Sequence, residues 1–295
     1  NVTFAYPGTQ KNILEHFDYV IKKGDRVGIA GESGAGKSTI LRLLLRFYAP
    51  TKGQILINGI PIEQISFTEL HQRIAFLEQD TYLFDATIAE NIGIAKPDAA
   101  VEEIKTAAKR AGIAEFIETL PDGYDTDMGQ MSARLSGGER QRIGIARALA
   151  VQPQLIIADE PVSALDVSIQ AQVINLLMDI KKEMDLTILF IAHNLAVVKY
   201  FSDRIGVMYF GNMVELADAD ELYDHPVHPY TKALLSAIPQ PDPLSEKSKE
   251  RLYYDPSIHD YSVEQPRFQE IRPGHFVYAS DSEMEKYRKE LEEQG

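Results

Sequence analysis

The sequence predicts an α/β fold in which a glycine-rich loop joins a buried strand to a helix. First, an apolar strand at residues 26–30 runs into Gly31-Glu32-Ser33-Gly34-Ala35-Gly36, and helical spacing begins near Lys37. Second, residues 155–158 and 188–192 form continuous apolar runs, which are typical of parallel strands buried on both faces. Third, 295 residues with 44% hydrophobic content can bury a sizeable core.

The N-terminal elements follow from local signals. Residues 2–5 and 20–21 are predicted as strands flanking a turn at Pro7-Gly8. The helix that opens near Lys37 is apolar almost all round, which predicts burial of Ile40, Leu41, Leu43, Leu44, Leu45 and Phe47. A further strand at residues 55–57 is closed by Asn58-Gly59, a strong turn signal.

The central part of the chain changes from strands to helices. Residues 85–150 are predicted to form a helical insertion, because residues 99–111 and 113–119 have helical spacing and strand signals disappear. A helix at 168–184 and a hairpin of 205–210 with 213–216, joined by Gly211-Asn212, complete a predicted domain of residues 1–239.

The composition of the chain changes after Pro239. Six prolines punctuate a polar stretch with isolated aromatic residues: Pro239, Pro241, Pro243, Pro256, Pro266 and Pro273. We therefore predict that residues 240–295 form an extended C-terminal appendage, ending in a charged helix from about Ser282.

Composition excludes several classes of function. The chain has no cysteine, which excludes disulfides and thiolate metal sites. A net charge of −14 argues against nucleic acid as the main partner. No apolar run approaches the roughly 20 residues of a membrane span, so a membrane role would have to come through a partner.

Residues 31–39 fit the phosphate-binding pattern G-x-x-x-x-G-K-[ST], contributed by Gly31, Glu32, Ser33, Gly34, Ala35, Gly36, Lys37, Ser38 and Thr39. The glycines let backbone N–H groups surround phosphate oxygens at a helix N-terminus. Lys37 is expected to reach the β- and γ-phosphates, and the Ser38 hydroxyl to bind Mg²⁺. The alternative is an incidental glycine-rich turn, which the strand before it and the helix after it disfavour. The pattern predicts binding of ATP with Mg²⁺.

Asp159 and Glu160 follow the apolar run 155–158. Ligands bind at the carboxyl ends of strands in open α/β sheets, so Asp159 is a candidate Mg²⁺ ligand and Glu160 a candidate general base for hydrolysis. Alone, such a pair is equally compatible with a helix cap. The phosphate loop upstream favours the functional interpretation.

A second glycine motif, Leu135-Ser136-Gly137-Gly138-Glu139, precedes another helical stretch and makes a second helix N-terminus that could bind an anion. One ATP does not need two such sites in one chain. Together with the phosphate loop, Asp159-Glu160, Ser163-Ala164-Leu165-Asp166 and His193, this motif resembles the nucleotide-binding domain of ABC transporters. The resemblance implies a P-loop NTPase core with an antiparallel β-subdomain and an inserted α-helical subdomain.

In that family the signature loop of one subunit closes over the γ-phosphate bound by the other. The resemblance therefore implies that Ser136, Gly137 and Gly138 serve a partner's ATP in a head-to-tail dimer, which works with transmembrane permease subunits.

Further site residues rest on the same resemblance. The matching positions are Tyr6 for the aromatic stacked on adenine, Gln79 for the glutamine touching Mg²⁺, Asp166 for the dimer interface and His193 for the switch histidine at the γ-phosphate. Taken singly, a tyrosine such as Tyr6 is more often a packing residue, an isolated glutamine such as Gln79 carries no signal, and a histidine after a strand such as His193 is usually structural. Residues 126–129 lie where exporters place a loop that contacts the membrane domains.

The two halves of the chain point to different relatives. Residues 1 to about 140 resemble ABC exporters, and the segments that carry this resemblance are 2–8, 85–92 and 120–126. Residues from about 145 onward resemble the ATPase subunit of oligopeptide importers, and the segments that carry this resemblance are 159–166 and 225–231. This suggests a chimera joined within residues 136–155. The alternative function is then a nucleotide-binding scaffold without a transport partner, and an ABC ATPase acting on ribosomes or DNA is a weaker option.

The histidines carry little signal. His225-Pro226-Val227-His228-Pro229 is predicted to be a structural turn rather than a metal site, and His16, His71, His259 and His275 show no pattern. Together with the resemblance, the sequence predicts an ATPase that powers peptide import or multidrug/lipid-type export through separate membrane subunits. It is expected in the cytoplasm, on the inner face of the cell membrane where a permease is present.

Overall fold

The computed structural model describes residues 1–238 and 251–294, which fall into two compact units. The first unit comprises Asn1–Ile21, Arg26–Ile55 and Ile191–Gly295, and the second comprises Lys22–Asp25 and Leu56–Phe190. Both units combine strands and helices, as the sequence predicts. The proposed division at residue 239 differs from these units and stays a proposal.

The first unit contains a sheet with the strand order β11-β12-β10-β9-β3 and a separate hairpin of β1 and β2. Its strands are β1 Val2–Phe4, β2 Leu14–Phe17, β3 Arg26–Ala30, β9 Arg204–Tyr209, β10 Asn212–Asp218, β11 Arg267–Arg272 and β12 His275–Ala279. Its helices are α1 Lys37–Leu44, α9 Leu195–Phe201, α10 Ala219–Asp224, α11 Pro229–Ser236 and α12 Asp281–Gln294. β3 pairs with β9 in parallel, and the other pairs in this unit are antiparallel.

The second unit contains parallel β6 and β7, with β8 next to β7, and a small hairpin of β4 and β5. The strands are β4 Leu56–Ile57, β5 Ile60–Pro61, β6 Ile74–Leu77, β7 Leu155–Asp159 and β8 Thr187–Ala192, whose last two residues belong to the first unit. The helices are α2 Phe67–Arg73, α3 Ile88–Gly93, α4 Val101–Arg110, α5 Ala114–Thr119, α6 Met128–Met131, α7 Gly137–Ala150 and α8 Val167–Met184.

The predicted buried strands are confirmed. Ile156, Ile157 and Ala158 of β7 are fully buried, and all of β8 is buried. Continuous apolar sequence is what a strand covered on both faces requires. The turn at Asn58-Gly59 is also confirmed, because both residues have positive φ (52° and 79°) and join β4 to β5.

Three local predictions are wrong. Residues 20–21 are not a strand; β1 pairs instead with β2, and Val20 is 69% exposed. The buried helix does not include Phe47, which is 65% exposed, because α1 ends at Leu44 and Arg46 turns the chain with φ 60°. The turn between β9 and β10 is formed by Phe210 and Gly211, one residue earlier than predicted.

The C-terminal segment is folded rather than extended. Residues 240–250 of the predicted appendage lie outside the described residues. Beyond them, β11 and β12 form a hairpin, and β12 pairs with β10, with Glu215 opposite Val277. The charged helix is present as α12, and its apolar side packs in a small core of Val227, Val277, Ala279, Met284, Tyr287 and Leu291. The aromatic residues that looked isolated in sequence therefore form strand pairs and core contacts.

Candidate nucleotide-binding site

The glycine-rich loop lies between β3 and α1, where the sequence predicts it. Gly31 and Gly36 have φ values of 151° and 101°. A Cβ at Gly31 would lie 2.3 Å from the carbonyl oxygen of Met208, and one at Gly36 would lie 3.2 Å from that of Ile13. The loop path therefore requires glycine both for conformation and for its close approach to neighbouring backbone.

Lys37 is the buried positive charge of this loop. Its side chain is 6% exposed, and its Nζ donates to the carbonyl oxygens of Gly31 at 2.6 Å and Glu32 at 2.9 Å. It stands in the first turn of α1, an eight-residue helix whose N-terminal amides point away from the helix. An ammonium group next to a helix N-terminus and a curled loop is a physically favourable place for phosphate.

The two hydroxyls after Lys37 face different surroundings. Ser38 is exposed, whereas Thr39 is buried and its Oγ1 lies 3.1 Å from the Tyr6 hydroxyl. Arg42 Nη1 also donates to that hydroxyl, at 2.9 Å. The Tyr6 ring makes edge-to-face contacts with Phe4 and Tyr48 at 5.0 and 5.2 Å. The structure therefore brings Tyr6 against α1 and holds its hydroxyl end, while the ring is half-buried.

In the second unit, Gln79, Asp159 and Glu160 lie at the same edge of the sheet. β6 and β7 are parallel, with Leu77 opposite Ala158, so residues that follow these two positions emerge together. Gln79 is exposed, and the two carboxylates are half-buried. For Asp159 and Glu160 this is the carboxyl-end placement that the sequence predicts for ligand-binding groups.

Glu160 has an unusual backbone. Its φ is 46°, in the left-handed region that non-glycine residues rarely occupy. Its carbonyl accepts hydrogen bonds from the backbone N–H and the hydroxyl of Ser163, at 3.1 and 3.0 Å, and these bonds stabilise the turn. Such strain, worth about 1–3 kcal/mol, is concentrated at functional sites.

The second glycine motif, residues 135–139, leads into the start of α7. Ser136 Oγ accepts from the Glu139 backbone N–H at 3.3 Å, and Glu139 Oε2 accepts from the Ser136 backbone N–H at 2.8 Å, a reciprocal capping box. A Cβ on Gly137 would lie 2.8 Å from Leu165. Asp166, which follows Leu165 in the chain, caps α8 by accepting from the Ile169 N–H at 3.1 Å. The N-termini of α7 and α8 therefore lie side by side, and Ser136, Gly137, Gly138 and Asp166 are brought together.

His193 is exposed and lies directly after β8, in the first unit. The next residue, Asn194, caps α9 by accepting from the Ala196 N–H at 3.0 Å. The imidazole thus stands at the carboxyl end of a buried strand, as the sequence predicts.

Sequence reasoning missed Tyr230. Its hydroxyl accepts a hydrogen bond from the backbone N–H of Glu32 in the glycine-rich loop, at 3.0 Å. Residues 225–228 join α10 to α11, in agreement with the predicted structural turn, and buried His228 caps α11 by accepting from the Tyr230 N–H. No sequence signal links this turn to a loop about 200 residues earlier.

Comparison with known proteins gives a consistent result over most of the chain. Residues 14–163 match the family model described as ABC transporter, and residues 214–263 match that of the oligopeptide/dipeptide transporter C-terminal region. An oligopeptide transport ATP-binding protein of Bacillus subtilis is 45% identical, covering 96% of this chain and 95% of its own length. A dipeptide transport ATP-binding protein of Lactococcus lactis is 43% identical, covering 91% of this chain and 88% of its own length.

The fold also matches a solved structure. A bacterial Atm1-family ABC exporter with ATP bound aligns with a TM-score of 0.68 and 39% identity, covering 75% of this chain, which spans 38% of the exporter chain. The chain belongs to the ABC transporter family of ATP-binding proteins, and the predicted ABC ATPase fold and ATPase activity are confirmed. No helix in the described residues is long and apolar enough to cross a membrane.

The comparisons give no support to the chimera hypothesis. Single relatives align over 96% and 91% of this chain, and therefore across the suspected junction at residues 136–155. The exporter match covers 75% of the chain, so it also extends beyond the first 140 residues. Exporter-like and importer-like motifs therefore coexist in one continuous family member.

Proposed function

We propose that this chain is the ATP-hydrolysing subunit of an ABC importer for oligopeptides or dipeptides, acting on the cytoplasmic face of the membrane through separate permease subunits. The observation that carries the proposal is the phosphate loop with its buried Lys37, in a chain of which 96% aligns with an oligopeptide transport ATP-binding protein. The match to the oligopeptide/dipeptide transporter C-terminal region supports the substrate class.

In the proposed mechanism the phosphate loop binds and orients the nucleotide. Backbone N–H groups of the loop residues that follow Glu32 and the amides that open α1 surround the phosphates, and the Lys37 ammonium moves from loop carbonyls to phosphate oxygens. Tyr6 contacts the adenine with its half-buried ring, which its neighbours hold in place.

Glu160 acts as general base. Its carboxylate accepts a proton from the water that attacks the γ-phosphorus, while the bond to the oxygen bridging to the β-phosphate breaks and ADP leaves. The turn stabilised by Ser163 fixes the direction of the carboxylate. His193 contacts the γ-phosphate and reports its presence. Gln79, exposed beside the end of β7, transmits the state of the site to the permease.

The chemistry of the donor set fits Mg²⁺. Ser38, Gln79 and Asp159 offer a hydroxyl, an amide oxygen and a carboxylate, the oxygen donors that this cation prefers. Mg²⁺ usually keeps several waters and substrate phosphates as ligands, so few protein ligands are needed. When bound, it neutralises charge on the phosphates. Asp159 and Ser38 would hold it, and Gln79 would touch it.

The active form is a head-to-tail dimer. Ser136, Gly137, Gly138 and Asp166 lie together at adjacent helix N-termini, which present amides to an anion. They are proposed to close over the ATP held by the phosphate loop of the second subunit.

Glu160→Gln tests the proposed chemistry. The variant should bind ATP with the parent's affinity, form an ATP-dependent dimer on size-exclusion chromatography and lose Mg-dependent, vanadate-sensitive hydrolysis. In a Bacillus subtilis strain lacking its 45% identical relative, the parent should restore growth on oligopeptides and the variant should not.

Glu63→Gln removes an exposed carboxylate elsewhere in the second unit and is the matched control. It should retain parental turnover. Hydrolysis by Glu160→Gln at the parental rate would refute the assignment of the base, and failure of the active parent to restore growth would refute the substrate class.

A further inference from the structure

Tyr230 connects the C-terminal part of the first unit to the phosphate loop. The residue is 3% exposed and stands in the first turn of α11. Its hydroxyl oxygen accepts a hydrogen bond from the Glu32 backbone N–H at 3.0 Å. Glu32 is the second residue of the loop, and the Ala35 N–H bonds back to its carbonyl at 3.2 Å. The peptide held by Tyr230 is therefore part of the turn that shapes the loop.

The N-terminus of α11 is itself firmly held. Glu215, a fully buried residue of β10, accepts from the backbone N–H groups of Val227 at 2.8 Å and His228 at 2.9 Å. His275 Nε2 lies 2.8 Å from the same carboxylate, and both of these side chains are fully buried. His228 Nδ1 then accepts from the Tyr230 N–H at 3.1 Å. A continuous series of hydrogen bonds thus runs from β12 through β10 to the phosphate loop.

The Tyr230 ring is fixed by its aromatic neighbours. Its centroid lies 4.6 Å from that of Tyr209 and 5.4 Å from that of Tyr254, which also packs on His228. Tyr254 belongs to the C-terminal segment that follows the undescribed residues. Aromatic pairs at these distances are stabilising beyond the area that they bury. The hydroxyl is consequently held in one place rather than free to follow the loop.

The hydroxyl also keeps one ionisation state. Burial raises the pKa of Tyr230 to about 12, so the phenol remains neutral at ordinary pH. A neutral phenol oxygen can accept the Glu32 N–H throughout the working range.

We infer that Tyr230 is a positioning residue for ATP binding, which holds the Glu32 peptide so that the following loop amides are oriented toward phosphate before the nucleotide arrives. The inference rests on the proposed role of the phosphate loop. Tyr230 lies within residues 214–263, which match the oligopeptide/dipeptide transporter C-terminal region, so this region would contribute to nucleotide affinity. Loss of the hydroxyl would leave the Glu32 peptide without this acceptor, and binding ATP would then have to order the loop.

Tyr230→Phe removes the hydroxyl and keeps the ring. Because one net hydrogen bond is at stake, we expect ATP to bind about three- to tenfold more weakly. KM should rise by a similar factor, whereas kcat should stay within about twofold, since the base and the partner's signature loop are untouched. Hydrogen exchange measured by mass spectrometry should become faster in a peptide containing residues 31–36 without nucleotide.

Tyr254→Phe is the matched control, because it removes a hydroxyl from a ring that packs on Tyr230 while leaving the bond to Glu32 in place. It should change neither ATP affinity nor loop exchange by more than about twofold.

The outcomes separate the two proposals. If the parent does not bind ATP, the proposed function fails first. If the parent binds ATP but Tyr230→Phe binds it equally well, or if both Phe variants weaken binding to the same extent, the positioning role of Tyr230 is refuted. A fall in kcat without a change in KM or loop exchange would also overturn it.

Discussion

Substitution of Ser136 can separate a structural role of its hydroxyl from a catalytic one. Its hydroxyl caps α7, and the reciprocal bond from the Ser136 N–H to Glu139 completes the capping box. Replacing an N-cap serine by alanine costs about 1 kcal/mol. For a chain of this size that corresponds to a decrease in Tm of roughly 2–4 °C. Ser136→Ala should therefore be slightly less stable whatever its role in turnover.

Catalysis distinguishes the two roles. If Ser136 also contacts the γ-phosphate held by the second subunit, Ser136→Ala should lower kcat by at least about tenfold, because a preorganised hydrogen bond to developing charge is lost. ATP binding to the monomer should remain parental, since the serine serves the partner's nucleotide. The assay compares steady-state Mg-ATPase, ATP affinity and thermal unfolding.

Ser66→Ala is the matched control. Ser66 is also an exposed N-cap serine, and its Oγ accepts from the Glu69 N–H at 3.2 Å at the start of α2. This variant should lose a similar amount of stability and keep parental kcat. A Ser136→Ala protein with a lowered Tm and unchanged kcat would show that the hydroxyl is a helix cap only.

Two further variants test the loop and the C-terminal region. Gly36→Ala places a Cβ 3.2 Å from the Ile13 carbonyl oxygen at a φ of 101°, so ATP binding measured by calorimetry should be lost. The control is Gly59→Ala, where φ is 79° but no atom lies close to the added Cβ. This variant should lose about 1 kcal/mol of stability and still bind ATP. Burial, with smaller effects of His259 and Lys232, lowers the pKa of His228 to about 3, so the folded protein keeps this ring neutral while the unfolded chain gains a proton below pH 6.5. This contribution to the free energy of unfolding is present above pH 6.5 and falls by about 2 kcal/mol at pH 5. His228→Asn keeps a capping side chain but has no imidazole, so its free energy of unfolding, measured with urea, should fall less between pH 7 and pH 5 than that of the parent. Equal acid sensitivity in both proteins would contradict this assignment.

The parts of the fold that could be predicted are those encoded by neighbouring residues. Strand, glycine loop and helix follow one another at residues 26–44, and the apolar run of β7 ends directly in Asp159 and Glu160. Ser136 followed by Glu139 is itself a capping-box signal. In each case spacing along the chain fixes the local structure, so the candidate site could be located before its geometry was known.

The parts that could not be predicted depend on distant partners. His275 shows no pattern in sequence, yet it is fully buried between Glu215 and Glu221, about 60 and 54 residues earlier. Burial alone would lower the pKa of His275, but the hydrogen bonds and charges of these two carboxylates together outweigh burial and raise the pKa. The C-terminal hairpin was obscured for the same reason, because its partner strand β10 lies some 50 residues upstream and prolines intervene.

The C-terminal hairpin also determines which strand ends the sheet of the first unit. β11 occupies that position, and it carries Arg267, Glu270 and Arg272. Charged side chains on an outermost strand discourage strands of other molecules from adding to it. A chain cut before residue 251 would instead expose the backbone of β10 beside the buried residues Val214 and Leu216. The segment is thus expected to shield β10 from strand addition, a role separate from the packing of its Tyr254 on Tyr230.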